Sequence, residues 1–293
     1  MTLDQLRIFV EVAERQHMTK AAAALHITQS TASAAIAALE SQHEVRLFHR
    51  VGRRIELTEA GHKLQEEAKA ILGRVANAEL VLAELGALKR GTLRLVASQT
   101  IASYWLPHHL ADFRRQYPGI AIDLVIGNTG QAIRAISDGS AELGFAEGAI
   151  PDVSISHWPV GHDQLVLTGS SEYSPMTLTK EELARARWVM REPGSGTRST
   201  FEEMLRARGV DPAALDVALT LPSNESVLSA VEAGAGVAVL SALVVARATN
   251  TAALHSLPFD DAPRLFSALC HKERTLSKAA DALLTLIREA NHG

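Results

Sequence analysis

With 293 residues, 47% of them hydrophobic and 21% charged, the chain is too long for one core and too apolar for a disordered tail, so two or more folded domains are expected. A lone cysteine, Cys270, excludes an internal disulfide and a cysteine-based zinc site and fits a reducing compartment. The opening Met1-Thr2-Leu3-Asp4-Gln5 has no basic stretch ahead of an apolar run. Nowhere do the ~18 consecutive apolar residues of a bilayer span occur, so a cytoplasmic protein with no membrane partner is expected.

The formal net charge of -4 does not advertise nucleic-acid binding, but it is unevenly spread. Residues 1 to 62 hold seven Lys/Arg against seven Asp/Glu, residues 63 to 90 five against four, and the remainder 17 against 22. In chain order, Thr2 predicts the cap of a first helix with Leu6, Phe9, Val10 and Ala13 on one face. A second helix is predicted from Thr19 through the alanine-rich run Lys20 to Leu25. After the break His26-Ile27, Thr28 caps a third, which should bury Ala32, Ala35, Ile36 and Leu39.

The other face of that third helix carries Gln29, Ser30, Thr31, Ser33, Ala34 and Ala37, with no charge until Glu40. Such a face can enter a major groove: Gln bonds adenine bidentately, Ser and Thr reach base edges or phosphates, and alanine methyls pack on thymine methyls. Arg46, His49, Arg50, Arg53 and Arg54 then surround Gly52 in a stretch that reads as a hairpin wing ending in Ile55-Glu56-Leu57. Arginines there would grip phosphates or probe the minor groove. Taken singly, each feature is equally well a solvated helix face or an ordinary charged turn.

Taken together they are more specific. The blocks Leu6-Arg7-Ile8-Phe9, Thr19-Lys20-Ala21-Ala22, Ile27 to Ser33, Leu39-Glu40, Leu47-Phe48-His49-Arg50 and Leu57 to Gly61 resemble, in order, the winged helix-turn-helix of LysR-type transcriptional regulators. The resemblance implies a DNA-binding domain over residues 1 to 58, in which Gln29, Ser30, Thr31, Ser33 and Ala34 face double-stranded operator DNA and Arg50, Arg53 and Arg54 lie in the wing. Many relatives carry a basic or amide residue after the helix serine, where this chain has Ala34-Ala35, so base readout should lean on methyl contacts and DNA shape.

From Thr58 to about Leu88 the pattern is helical, and Leu64, Ala68, Ile71, Val75, Ala78, Leu82 and Leu85 recur at spacings of four and three. Packing of this helix on its own domain is one reading. At about 40 Å it is long for that, so a dimerising linker helix over residues 59 to 90 is expected. Two such helices would offer paired recognition helices to successive major grooves.

Residues 91 to 293 repeat strand and helix signals: strands at Thr92 to Ala97, Ile120 to Ile126 and Leu143 to Ala146, helices over Ile101 to Tyr117 and Gln131 to Ser137, then further units to a final helix at Ser277 to Ala290. The alternation implies an α/β domain with mostly parallel sheets and ligands beyond the strand carboxyl ends. It resembles the two-lobed, periplasmic-binding-protein-like effector domain of LysR-type regulators, with lobe I over 91 to 161 and 266 to 293 and lobe II over 162 to 265.

Two loops stand out. Ser98-Gln99-Thr100 joins a strand to a helix, and Gly194-Ser195-Gly196-Thr197-Arg198 does the same in lobe II and adds a permanent cation. Asn128, Thr129 and Glu147 lie at two further strand ends. Ser98, Thr100, Thr197 and Arg198 are expected to converge on one small anion, or the second loop is merely a flexible helix cap. Its G-x-G lacks the spacing and acidic partner of a dinucleotide fingerprint. The run Arg191 to Arg198 is particularly similar to LysR-type regulators of sulfur assimilation and carbon fixation, which implies an oxyanion or a phosphorylated or carboxylated metabolite as effector.

Enzyme chemistry has no support: G-x-S-x-G, H-E-x-x-H and P-loop motifs are absent, and no cofactor or metal is implied. The neighbours His108 and His109 point about 100° apart on a helix and make poor joint ligands. The resemblance also implies a tetramer built as a dimer of dimers, and RNA polymerase is a further candidate partner.

Overall fold

The computed structural model describes residues 1–51, 54–84, 91–170, 179–248, 254–259 and 263–292, and it separates into two compact units, one at each end of the chain. The N-terminal unit opens with α1 (Leu3–Arg15), α2 (Met18–Ala24) and α3 (Gln29–His43), followed by β1 (Phe48–Val51), β2 (Arg54–Leu57) and α4 (Glu59–Glu84). A capping box starts α1: the Thr2 hydroxyl accepts from Gln5 N at 3.2 Å and the Gln5 amide oxygen accepts from Thr2 N at 2.8 Å. Thr28 caps α3 by accepting from Thr31 N at 3.1 Å. The cap of α2 is His17, whose Nδ1 accepts from Lys20 N at 3.4 Å. The sequence rule favoured Thr19, but a ring nitrogen one residue ahead of the helix satisfies the same orphan N–H.

Leu6, Phe9, Ile36, Leu39, Leu47 and Ala68 form the core of this unit, and the Phe9 and Phe48 rings lie 5.5 Å apart. Ala35, expected inside, is half-buried at the edge of the buried face of α3. The hairpin β1–β2 is fastened to α3 by one carboxylate: Glu40 accepts from Leu47 N at 2.8 Å and Phe48 N at 3.3 Å. On the far side, Thr58 accepts from Gly61 N at 2.9 Å and donates to the Arg46 carbonyl at 2.7 Å. Gly61 approaches so closely that a Cβ would stand 2.2 Å from the Leu47 carbonyl oxygen. Part of the expected dimer seam is occupied within the unit, for Ala68 is fully buried and Leu64 and Ile71 pack against the same core. Lys69 pairs with Glu14 of α1 at 2.8 Å.

The second unit has two lobes. The first comprises β3 (Gly91–Ser98), α5 (Leu106–Gln116), β4 (Ile120–Gly127), α6 (Thr129–Asp138), β5 (Leu143–Glu147) and β6 (Ile155–Asp163). The chain then crosses into β7 (Leu165–Ser170), α7 (Lys180–Arg185), β8 (Arg187–Arg191), α8 (Gly196–Ala207), β9 (Asp216–Leu221), α9 (Asn224–Glu232), β10 (Ala238–Ser241), α10 (Ala242–Ala248) and β11 (Leu254–Pro258). It returns through β12 (Arg264–His271) to α11 (Lys278–His292). The first-lobe sheet has the order β4-β3-β5-β12-β6. Leu95, Phe113, Phe145, Phe266 and Ile287 are buried in the cluster formed with α5 and α11, and Val96, Ala132, Ile136 and Leu269 in another formed with α6.

Two expectations need correction. The sheets are not mostly parallel: β3 is parallel to β4 and β5, and β8 to β9, but β12 runs antiparallel to β5 and β6, and β10 and β11 antiparallel to β7. The strands β6 and β12 carry the chain out of and back into one lobe side by side, so they must run opposite ways. The strand β6 was not legible, because it contains Pro159 opposite a register shift and alternates poorly. Finally, the helix expected over Ile101 to Tyr117 is interrupted: Ile101–Trp105 is a wide π-helical turn and α5 starts anew at Leu106. Pro107, lacking an N–H, cannot continue an α-helical ladder through that point.

Candidate DNA-reading face and interlobe site

On α3 the residues Gln29, Ser30, Thr31 and Ala34 are exposed and Ser33 is half-buried. The Thr28 hydroxyl lies 2.8 Å from both the Ser30 and Thr31 hydroxyls, so the start of this face is held by its own cap. Gln29 is exposed and has no side-chain hydrogen bond among the described residues. In the wing, the backbones of Arg50 and Arg54 pair with Ile55 and Val51. Their side chains, and Arg53 altogether, lie outside the described residues.

Between the lobes, Ser98 ends β3 and is 2% exposed, and its hydroxyl donates to Glu147, itself 3% exposed at the end of β5. Thr129 at the start of α6 donates to the Glu147 backbone carbonyl at 2.8 Å. The same carbonyl faces the N-terminus of α8, where a Cβ on Gly196 would sit 2.1 Å from it and 2.5 Å from the Thr129 hydroxyl. Only glycine allows the lobes to approach so closely. Thr197, fully buried beside it, accepts from Arg264 Nη1 at 2.9 Å.

Arg264 was not singled out in the sequence, yet it organises this site. Its guanidinium also donates to Asp163 and stands 3.7 Å from Glu147. Asp163 and Arg264 face each other in register on β6 and β12, at the crossing between lobes. The cluster thus buries one cation with two carboxylates, and among the described residues the Arg264 Nε keeps no hydrogen-bond partner.

A second layer fastens the lobes further out. Asn224, fully buried at the start of α9, donates from its side chain to the Thr100 hydroxyl at 3.1 Å, and its backbone N–H donates to Gln99 Oε1 at 2.8 Å. Gln99 Nε2 and the Tyr104 hydroxyl donate to Glu225 at 2.7 and 3.0 Å. Asn128 donates to Glu192 at 3.1 Å, and Gly130 N to the Gly194 carbonyl at 3.1 Å. Arg191, 5% exposed, grips Glu192 with two N–H groups at 2.8 and 3.1 Å and donates to Asn224.

Of the expected ligand residues, Ser98, Glu147, Thr129, Gly196 and Thr197 therefore come together around Arg264, while Gln99 and Thr100 meet Asn224. Ser195 caps α8 through Arg198 N at 3.5 Å. Arg198 does not join them as a free clamp: its Nε donates to Glu202 at 2.7 Å and its Nη1 to the Arg191 carbonyl at 3.1 Å. A cation four residues before a glutamate on one helix face pairs locally. Arg191, Asn224 and Arg264 were missed because their meaning depends on partners 33, 124, 101 and 67 residues away. Among the described residues, no group of His, Cys, Asp and Glu could hold a metal ion, and no helix is long and apolar enough to cross a membrane.

Comparison with known proteins agrees with this architecture. Residues 3–62 match the family described as bacterial regulatory helix-turn-helix protein, lysR family, and residues 86–291 match the LysR substrate binding domain. The chain is 33% identical over 297 residues to the uncharacterized HTH-type transcriptional regulator YeiE of Escherichia coli (strain K12), covering 99% of this chain and 98% of that one. It is 31% identical over 290 residues to a probable RuBisCO transcriptional regulator of Trichormus variabilis, covering 96% and 86%. Full-length CbnR complexed with its target DNA shares the fold, with a TM-score of 0.69 at 22% identity, covering 99% of this chain and 100% of that one. So does the Synechocystis PCC6803 CcmR regulatory domain in complex with 2-PG, with a TM-score of 0.62 at 24% identity over 69% and 97%. The chain belongs to the LysR family: it is a helix-turn-helix DNA-binding transcriptional regulator with a C-terminal ligand-binding domain, and not an enzyme.

Proposed function

We propose that this regulator reads a two-fold symmetric operator through the exposed face of α3 and that a small anion held between its lobes sets the transcriptional output. The observation that carries the effector reading is the burial of the Ser98, Thr100, Ser195 and Thr197 hydroxyls at strand ends that open into helices. The first N–H groups of α8 have no intrahelical acceptor and lie beside Thr197, an arrangement that favours negative charge. The Glu147 carboxylate accepts from the Ser98 hydroxyl. An entering oxyanion would have to displace it, or use Thr100, Thr197 and the α8 N–H groups instead. The likeness to CcmR, solved with 2-PG, supports a small phosphorylated or carboxylated acid.

Output then follows from lobe angle, with a coupling of about 1 to 3 kcal/mol between effector and DNA. The working assembly is a dimer of dimers in the cytoplasm, where operator DNA is found, with RNA polymerase as the machine it addresses. The described seam residues Val75 and Ala78 do not join the winged core, which leaves them for a symmetry mate; Leu82 and Leu85 have side chains outside the described residues. The test is calorimetry with sulfate, phosphate and small phosphorylated or carboxylated acids on wild type, Thr100→Ala and Thr197→Ala, paired with operator binding at two salt concentrations. Anion binding that both variants weaken supports the reading. Anion binding indifferent to both, or none, defeats it.

A further inference from the structure

A groove of about 920 Å³ lies against the crossing between the lobes, and none of Ser98, Thr100, Ser195 and Thr197 lines it. Its floor is the end of β6 from Pro159 to Gln164 and the start of β12 at Pro263 and Leu265; Ala242 and Leu243 at the start of α10 wall one side, and Arg288 and Asn291 of α11 the other. The walls are fixed rather than loose. Ala242 N donates to the Gln164 carbonyl at 2.8 Å, and the Asn291 side chain donates to the Val160 carbonyl.

Two features give the groove a chemistry. Its surface is chiefly apolar, and Leu265, a strand residue, is 53% exposed there. Arg288 is the one arginine or lysine in the lining, and it makes no hydrogen bond or ion pair among the described residues. The acid closest in the lining, Asp163, is buried and held by Arg264, so it does not neutralise that cation. A concave, mostly apolar surface of this size with one fixed charge suits a small molecule.

We infer that this groove is a second ligand site, which takes a small apolar molecule bearing a single carboxylate, its ring or chain against Val160, Leu243 and Leu265 and its carboxylate on Arg288. The guanidinium offers the carboxylate two parallel N–H groups. Because α10 belongs to one lobe and α11 to the other, a ligand bridging them binds best at one lobe angle and is thereby linked to the cleft. That linkage, though not the binding itself, rests on the effector reading above.

The test uses 4-(trifluoromethyl)benzoate as the probe and fluorine NMR on the full chain. Wild type is expected to show one saturable site per protomer. Arg288→Gln and Leu265→Glu, both at exposed positions, should each weaken binding about tenfold with unchanged unfolding midpoints, while Thr197→Ala leaves it unaltered. The proposal is overturned if the probe does not saturate, or if it saturates equally in both groove variants. It is also overturned if Thr197→Ala alone abolishes binding, which would put the probe in the interlobe site and favour the effector reading instead.

Discussion

The face of α3 proposed to read DNA and the interlobe site use the same residue types, Ser, Thr, Gln and Asn, to opposite ends. On α3 Gln29, Ser30 and Thr31 are exposed, bonded only to the helix cap or to nothing, and their removal should leave the fold intact. Between the lobes Ser98, Thr100, Thr197 and Asn224 are at most 2% exposed and each is bonded to a group far away in sequence. A hydroxyl in water can be kept for a partner, whereas one in the interior must be satisfied by the protein itself or it destabilises the fold.

The comparison breaks most readily at Arg264. Replacing it by Gln leaves Glu147 and Asp163 buried without a cation, and the effector domain should lose about 3 to 5 kcal/mol. Adding Asp163→Asn should restore part of that loss in thermal unfolding, and an additive double variant would mean the two side chains act independently. Gly196→Ala comes next. Its Cβ meets the Glu147 carbonyl, so the lobes must part or strain, at about 2 to 3 kcal/mol. An unchanged unfolding midpoint would show that the lobes do not close this tightly in solution.

The contrast is sharpened from the other side by Gln29→Ala, which should alter preference among operator bases by about 1 to 3 kcal/mol in a binding-site selection while leaving thermal stability alone. A stability loss without a change in preference would place Gln29 among structural residues. The smallest expected effect lies at Glu142, whose two oxygens are shielded from solvent. Burial pushes this carboxyl above its ordinary range, despite Ser277 and Arg94 nearby. A raised folded-state value means the carboxylate form destabilises the fold, most fully above that value and not at all below the unfolded one. Glu142→Gln should therefore stabilise by on the order of 1 kcal/mol at neutral pH, with the gain vanishing as the pH falls through the usual glutamate range. A gain that persisted in acid would point to packing rather than charge.

The N-terminal head was legible almost residue by residue, for a plain reason. Thr2 and Thr28 act on N–H groups three residues away, and Leu6, Phe9, Ile36 and Leu39 keep the helical period on which their burial depends. The seam of α4 was legible as a pattern but not as an allocation. The same period that suits a partner helix also suits the winged core, and the fold gives Leu64, Ala68 and Ile71 to the latter.

What the amino-acid sequence determined alone is whatever is carried by short-range geometry: the helix-turn-helix with its caps, the strand-to-helix loops at Ser98 and Ser195, and the family to which these belong. The tertiary structure decided the rest. Arg198 is drawn to its helix neighbour Glu202, whereas Arg264, beside a run of ordinary apolar residues, becomes the buried cation at the crossing of the lobes. A side chain four residues from an acid finds it as soon as a helix turn forms. A guanidinium that must meet Asp163 and Thr197 finds them only once two sheets have formed and the chain has crossed between them twice, and no local pattern records that event.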